Sequence, residues 1–111
     1  MRVFVSQPIA PEAIKLLEDS GFVVSVSSNK LTKEEIAGVV GESDAMICLV
    51  TDKIDRDVVE SGKKLKVIAN VAAGFDNIDV EAASQSGVYV TNTPGILEQS
   101  VAELVFAHLL S

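Results

Sequence analysis

Ala72-Ala73-Gly74 closes a largely apolar run that starts at Leu65. Small side chains at such a point leave backbone N–H groups open to an anion, so the chemistry on offer is capture of a carboxylate. The competing reading is a turn that uses its glycine for dihedral freedom alone. Reactive side chains are scarce. His108 is the only histidine and stands in an apolar segment, where a packed or interface imidazole is expected rather than a general base. Cys48 is the only cysteine, so no internal disulfide forms, and its place in the apolar run Ala45-Met46-Ile47-Cys48-Leu49-Val50 marks an inert buried thiol. No zinc-ligand spacing occurs, and no metal site is expected. Asp52 follows that run, but Ser6 and Gln7 stand where a phosphoacceptor site would need paired acids, so Asp52 is read as lacking partners. Neither GxxxxGK[ST] nor GxGxxG occurs, and Ser6-Gln7-Pro8-Ile9 is not a hydroxyl- and glycine-rich phosphate loop.

The composition narrows the setting. With 111 residues, 48% hydrophobic and 23% charged, the chain suits one globular domain with one sizeable core. Net charge is -7, from 16 acidic and 9 basic residues without a basic cluster, which argues against nucleic acid or an anionic membrane as partner. Glu12, Glu34, Glu35, Glu42 and Glu60 fall on amphipathic stretches and read as solvated faces. No apolar run reaches the roughly 18 residues of a membrane helix, and Arg2 leads into a strand rather than a secretory h-region, so a cytoplasmic location is expected.

Five strand-like runs carry these residues: Arg2 to Ser6, Phe22 to Ser27, Ala45 to Val50, Leu65 to Ala72 and Val88 to Asn92. Helical patterns alternate with them. Pro11 to Ser20 places Ala13, Ile14, Leu16 and Leu17 at helical spacing before Gly21. Thr32-Lys33-Glu34-Glu35 matches a capping box, with Ile36, Val39 and Val40 as the buried face and Gly41 as the stop. Asp55 to Ser61 and Asp79 to Ser86 are shorter helices followed by glycine, and Leu97 to Leu110 is the fifth. Strict alternation with short links predicts an α/β, doubly wound, five-stranded parallel sheet, and the flavodoxin-like order 2-1-3-4-5 suits it best. Ligands of such sheets sit beyond the carboxyl ends of the strands. That edge holds Ser6-Gln7, Val50-Thr51, Ala73-Gly74-Phe75-Asp76 and Asn92-Thr93-Pro94.

The segment Lys66-Val67-Ile68-Ala69-Asn70-Val71-Ala72-Ala73-Gly74-Phe75-Asp76-Asn77-Ile78-Asp79 resembles the signature of the D-isomer-specific 2-hydroxyacid dehydrogenases. Gly87-Val88-Tyr89-Val90-Thr91-Asn92-Thr93-Pro94-Gly95 and Ser100-Val101-Ala102-Glu103-Leu104 resemble that family's next strand and turn and the start of its interdomain helix. The resemblance implies a substrate domain over 1–96 and an interdomain helix over 97–111. It further implies interconversion of small 2-hydroxy and 2-oxo acids with NAD or NADP, usually by a dimer. The substrate carboxylate would lie on the amides of Ala73 and Gly74, with Leu49, Val50 and Thr51 lining the pocket and Ser100 and Val101 facing the nicotinamide. The family's glycine-rich loop and its Arg, Glu and His lie beyond that helix, so no catalytic residue is carried onto this chain, His108 included. The 111 residues alone are expected to be inactive.

From Val101 the terminal segment is apolar nearly all round, broken by Glu103 and His108, and such a helix is normally buried on every side. The expectation is that this chain is half of a larger enzyme. By itself it should form a homodimer through Val101, Leu104, Val105, Leu109 and Leu110. A stand-alone small-ligand-binding or self-assembly module without enzymatic activity is the alternative.

Overall fold

The computed structural model describes residues 1–9, 11–72 and 74–92. Five strands, β1 (Arg2–Val5), β2 (Val23–Val26), β3 (Ala45–Leu49), β4 (Val67–Val71) and β5 (Tyr89–Asn92), form one sheet in the order β2-β1-β3-β4-β5. Every pairing is parallel. The fold is therefore the α/β arrangement the alternation predicts. The helices are α1 (Pro11–Asp19), α2 (Lys33–Val39), α3 (Arg56–Ser61) and α4 (Val80–Gln85). The expected helix from Leu97 lies outside the described residues.

The pleat sorts the apolar side chains into two cores. Phe4, Met46, Cys48 and Ile68 pack with Ile36 and Val40, with Val58 and Val59 of α3 and with Ala82 and Ala83 of α4. On the other face Val3, Val5, Ala45, Ile47, Val67 and Ala69 pack with Leu17 of α1 and with Phe22. The central strands β1, β3 and β4 are thus apolar on both faces, as continuous β-branched runs require in a covered parallel sheet.

Local chemistry sets the element ends. Thr32 Oγ1 accepts from the Glu35 N–H at 3.2 Å while the Thr32 N–H donates to Glu35 Oε1 at 3.0 Å, a complete capping box at the start of α2. Asp55 and Asp79 cap α3 and α4 by accepting from Val58 and Ala82 N–H groups. Gly21 and Gly87 have φ of +94° and +73°, the left-handed conformation that closes a helix cheaply only at glycine. After each, the next N–H reaches back to a helix carbonyl, Phe22 to Leu17 at 3.2 Å and Val88 to Ala83 at 2.8 Å.

Two expectations at α2 need correcting. The α-helix ends at Val39, and Gly41 lies within a following 3-10 turn, Val40–Glu42. Val39 is also 49% exposed rather than part of the buried face. Ile36 and Val40, four residues apart, lie on the inward side in the core, and Val39 lines a surface groove with Ser25 and Val26 of edge strand β2. In α1, Ala13 and Leu17 are buried while Leu16 is exposed.

Candidate functional site

β1 neighbours both β2 and β3, so the direction of winding switches between β1 and β3. That crevice opens at the carboxyl ends of the strands, where ligands bind in open parallel sheets. In this protein the crevice is closed by side chains. Asp52 is 1% exposed, and its carboxylate accepts from the Ser6 hydroxyl, from Gln7 Nε2 at 2.9 Å and from the Leu49 N–H at 2.9 Å. Asp52, read as lacking the paired acids of a phosphoacceptor site, is held instead by hydrogen-bond donors, a hydroxyl and two N–H groups. Gln7 Nε2 also donates to Thr51 Oγ1 at 2.8 Å.

One strand further along, a second network ties β3 to β4. Asn70 is 0% exposed in β4, where an unpaired amide would cost free energy. It forms a reciprocal amide pair with Asn77: Asn70 Nδ2 donates to Asn77 Oδ1 at 2.9 Å, and Asn77 Nδ2 donates to Asn70 Oδ1 at 3.1 Å. Asn70 Nδ2 also donates to the Gly74 carbonyl at 2.9 Å, fixing the turn after β4. Asn77 Nδ2 reaches the carbonyls of Leu49 at 3.0 Å and Asp52 at 2.9 Å. Main-chain bonds reinforce the link, Ile54 N–H to Asn77 carbonyl and Asp79 N–H to Ile54 carbonyl, both at 2.8 Å.

Among the residues expected to touch substrate, Leu49 is half-buried and bonded through both its N–H and its carbonyl, Val50 is 61% exposed, and Thr51 is exposed beside Gln7. Gly74 is exposed at the same edge. Ala73, Ser100 and Val101 lie outside the described residues. Ala72 departs from the picture of an open amide, because its N–H donates to the Asn70 carbonyl at 3.0 Å. The Asn70–Asn77 network takes the Gly74 carbonyl and does not use its N–H. Gly74 is not among the glycines with positive φ, and a Cβ built there would meet nothing within 4 Å. Neither dihedrals nor packing within the described residues calls for glycine there.

Asn70 and Asn77 were missed as a working pair. A polar residue inside the run from Leu65 to Ala72 was the available signal, since a buried amide must find partners.

Cys48 is buried with its Sγ 3.5 Å from Asn70 Oδ1. Burial, and then the charge of nearby Asp52, push its thiol well above the usual range, so it is not a nucleophile. Among the described residues no cluster of three or more metal-ligating side chains occurs, and no helix is long and apolar enough to cross a membrane. No GxGxxG occurs in the sequence.

Known proteins are similar to this chain in sequence and in fold. The family model for the D-isomer specific 2-hydroxyacid dehydrogenase catalytic domain matches residues 3–109. A glyoxylate reductase of Pyrococcus horikoshii is 41% identical over 99% of the chain. The chain spans about a third of that relative, 33% of its length. A crystal structure of a Thermus thermophilus protein superposes with a TM-score of 0.80 at 39% identity, over 99% of this chain and 36% of that one. NAD+-bound 3-phosphoglycerate dehydrogenase of Entamoeba histolytica superposes with a TM-score of 0.76 at 34% identity, over 98% of this chain and 38% of that one.

Proposed function

Given that this chain belongs to the D-isomer specific 2-hydroxyacid dehydrogenases, we propose that residues 1–96 form the substrate-binding wall of an NAD(P)-dependent oxidoreductase. Its substrate class is small D-2-hydroxy acids and the corresponding 2-oxo acids. The Ala73–Gly74 amides receive the carboxylate, Leu49, Val50 and Thr51 line the pocket, and Ser100 and Val101 in 97–111 face the nicotinamide. NAD or NADP, when bound, supplies the hydride chemistry. No reaction step is assigned to this chain's own atoms, because binding at amides orients the acid but transfers neither hydride nor proton. The 111 residues alone are therefore expected to give no turnover.

The observation that carries this reading is Gly74 itself. It is exposed at the carboxyl edge, is pinned through its carbonyl by Asn70 and has no positive φ. Among the described residues nothing packs where a Cβ at position 74 would sit, and a glycine there, beside an exposed Val50, suits a turn that an anion must approach closely.

The test is an NMR titration of the 111-residue chain with glycolate, against glycolamide, which lacks the carboxylate. The Gly74 amide resonance should move with glycolate alone, with a dissociation constant on the order of 1 mM or weaker for so small a ligand. Gly74→Ala should keep stability within about 0.5 kcal/mol and weaken this response. Equal responses to both compounds, or none, would remove the carboxylate reading.

Self-association is a separate proposal that rests on the sequence alone. Val101, Leu104, Val105, Leu109 and Leu110 would join two copies of the 111-residue chain. Sedimentation equilibrium should show a dimer that Leu104→Lys with Val105→Glu dissociates, and a monomer in the parent chain would end this reading.

A further inference from the structure

We infer that Asn77 is a positioning residue that holds the two proposed substrate walls, the 49–52 loop and the turn at Gly74, at a fixed spacing. The inference rests on the carboxylate reading above.

The geometry is specific to Asn77. Its Nδ2 carries two hydrogens and faces three acceptors, the carbonyls of Leu49 and Asp52 and Asn70 Oδ1, all within 3.1 Å. Two main-chain carbonyls on that side fix which end of the amide is nitrogen. Its Oδ1 must then face Asn70 Nδ2, which donates to it and to the Gly74 carbonyl. Each end of the bracket grips main chain, one directly and the other through Asn70. A carboxylate in this place would present oxygen to both carbonyls of the 49–52 loop and could not hold it. An aliphatic residue would leave those carbonyls without their side-chain donor.

Asp52 braces the far side of the same loop by accepting from Ser6, Gln7 and the Leu49 N–H. Asn77 supplies the side-chain link between this loop and the β4 turn. If the amides at 73 and 74 take a carboxylate, Asn77 sets where that carboxylate lies relative to Val50 and Thr51. Orientation within about an ångström decides rates in enzymes of any class.

The experiment repeats the glycolate titration on Asn77→Asp and Asn77→Ala, with Asn70→Asp as a second break in the bracket. Far-UV circular dichroism and dispersed amide spectra establish folding first. The expected result is at least a tenfold loss of glycolate affinity at Gly74 in every folded variant. Amide shifts at Leu49 and Asp52, which accompany those at Gly74 in the parent, should no longer do so. A merely structural role would lower thermal stability and leave affinity and joint shifts alone, and that result overturns the inference while the carboxylate reading stands. No response in the parent overturns both. Should the Asn77 variants fail to fold, Asn70→Asp decides by the same readouts.

Discussion

Asp52 shows how much can depend on one buried side chain. Ser6, Gln7 and Leu49 all donate to it, and Ser6 is 0% exposed, so its hydroxyl has no water to fall back on. Removing the carboxylate strands a buried hydroxyl and a main-chain N–H, each costing about 1–3 kcal/mol. Asp52→Ala should therefore lower unfolding free energy by about 3 kcal/mol in urea denaturation. Ser6→Ala should cost about 1 kcal/mol in the parent and less in the Asp52→Ala background, because the two share one interaction. A loss below about 1 kcal/mol for Asp52→Ala would mean the crevice between β1 and β3 is held by backbone pairing alone.

At the scale of elements, the features legible in the sequence are those set by short spacing. Thr32 and Glu35 form their box across three residues, and Gly21 and Gly87 end helices where the pattern stops. The sheet order was legible because alternation, short links and right-handed crossovers leave few topologies. Illegible were contacts that only the assembled sheet creates. Ser6 and Asp52 are 46 residues apart, and nothing local marks one as the other's partner. Val39 was misplaced because its exposure depends on where α2 gives way to the 3-10 turn. The tie between helices was hidden for the same reason. Lys33 Nζ donates to Asp55 Oδ2 at 2.8 Å, joining the start of α2 to the cap of α3. The Lys33 hydrogen bond, then the Val58 N–H, lower the Asp55 pKa, and the Asp55 hydrogen bond raises that of Lys33. A lowered acid gives stability lost as pH falls through its folded pKa; a raised base gives stability lost as pH rises through its own. The tie is complete from above the usual carboxylate range to below the usual lysine range. Gly74 lies between legible and hidden, since its place after β4 was readable and the absence of a backbone reason for it was not.

Across the whole molecule, stability should grade outward from the middle of the sheet. β3 and β4 are buried over all but their last residue, whereas β2 and β5 form edges with largely exposed or half-exposed side chains. Amides bonded at similar lengths let burial be separated from bonding. The Ser6 N–H donates to the Ile47 carbonyl at 3.0 Å, beside the Asp52 network, while those of Val23 and Ser27 donate to Met1 and Val5 at 3.0 and 2.9 Å on the β2 edge. Val23 is 60% exposed, and local opening there uncovers little apolar surface. Native-state hydrogen exchange should show Ser6 opening only with global unfolding. Val23 and Ser27 should exchange at least about tenfold faster, a difference of about 1.4 kcal/mol in opening free energy. Equal protection at all three would mean the edge opens only with the core.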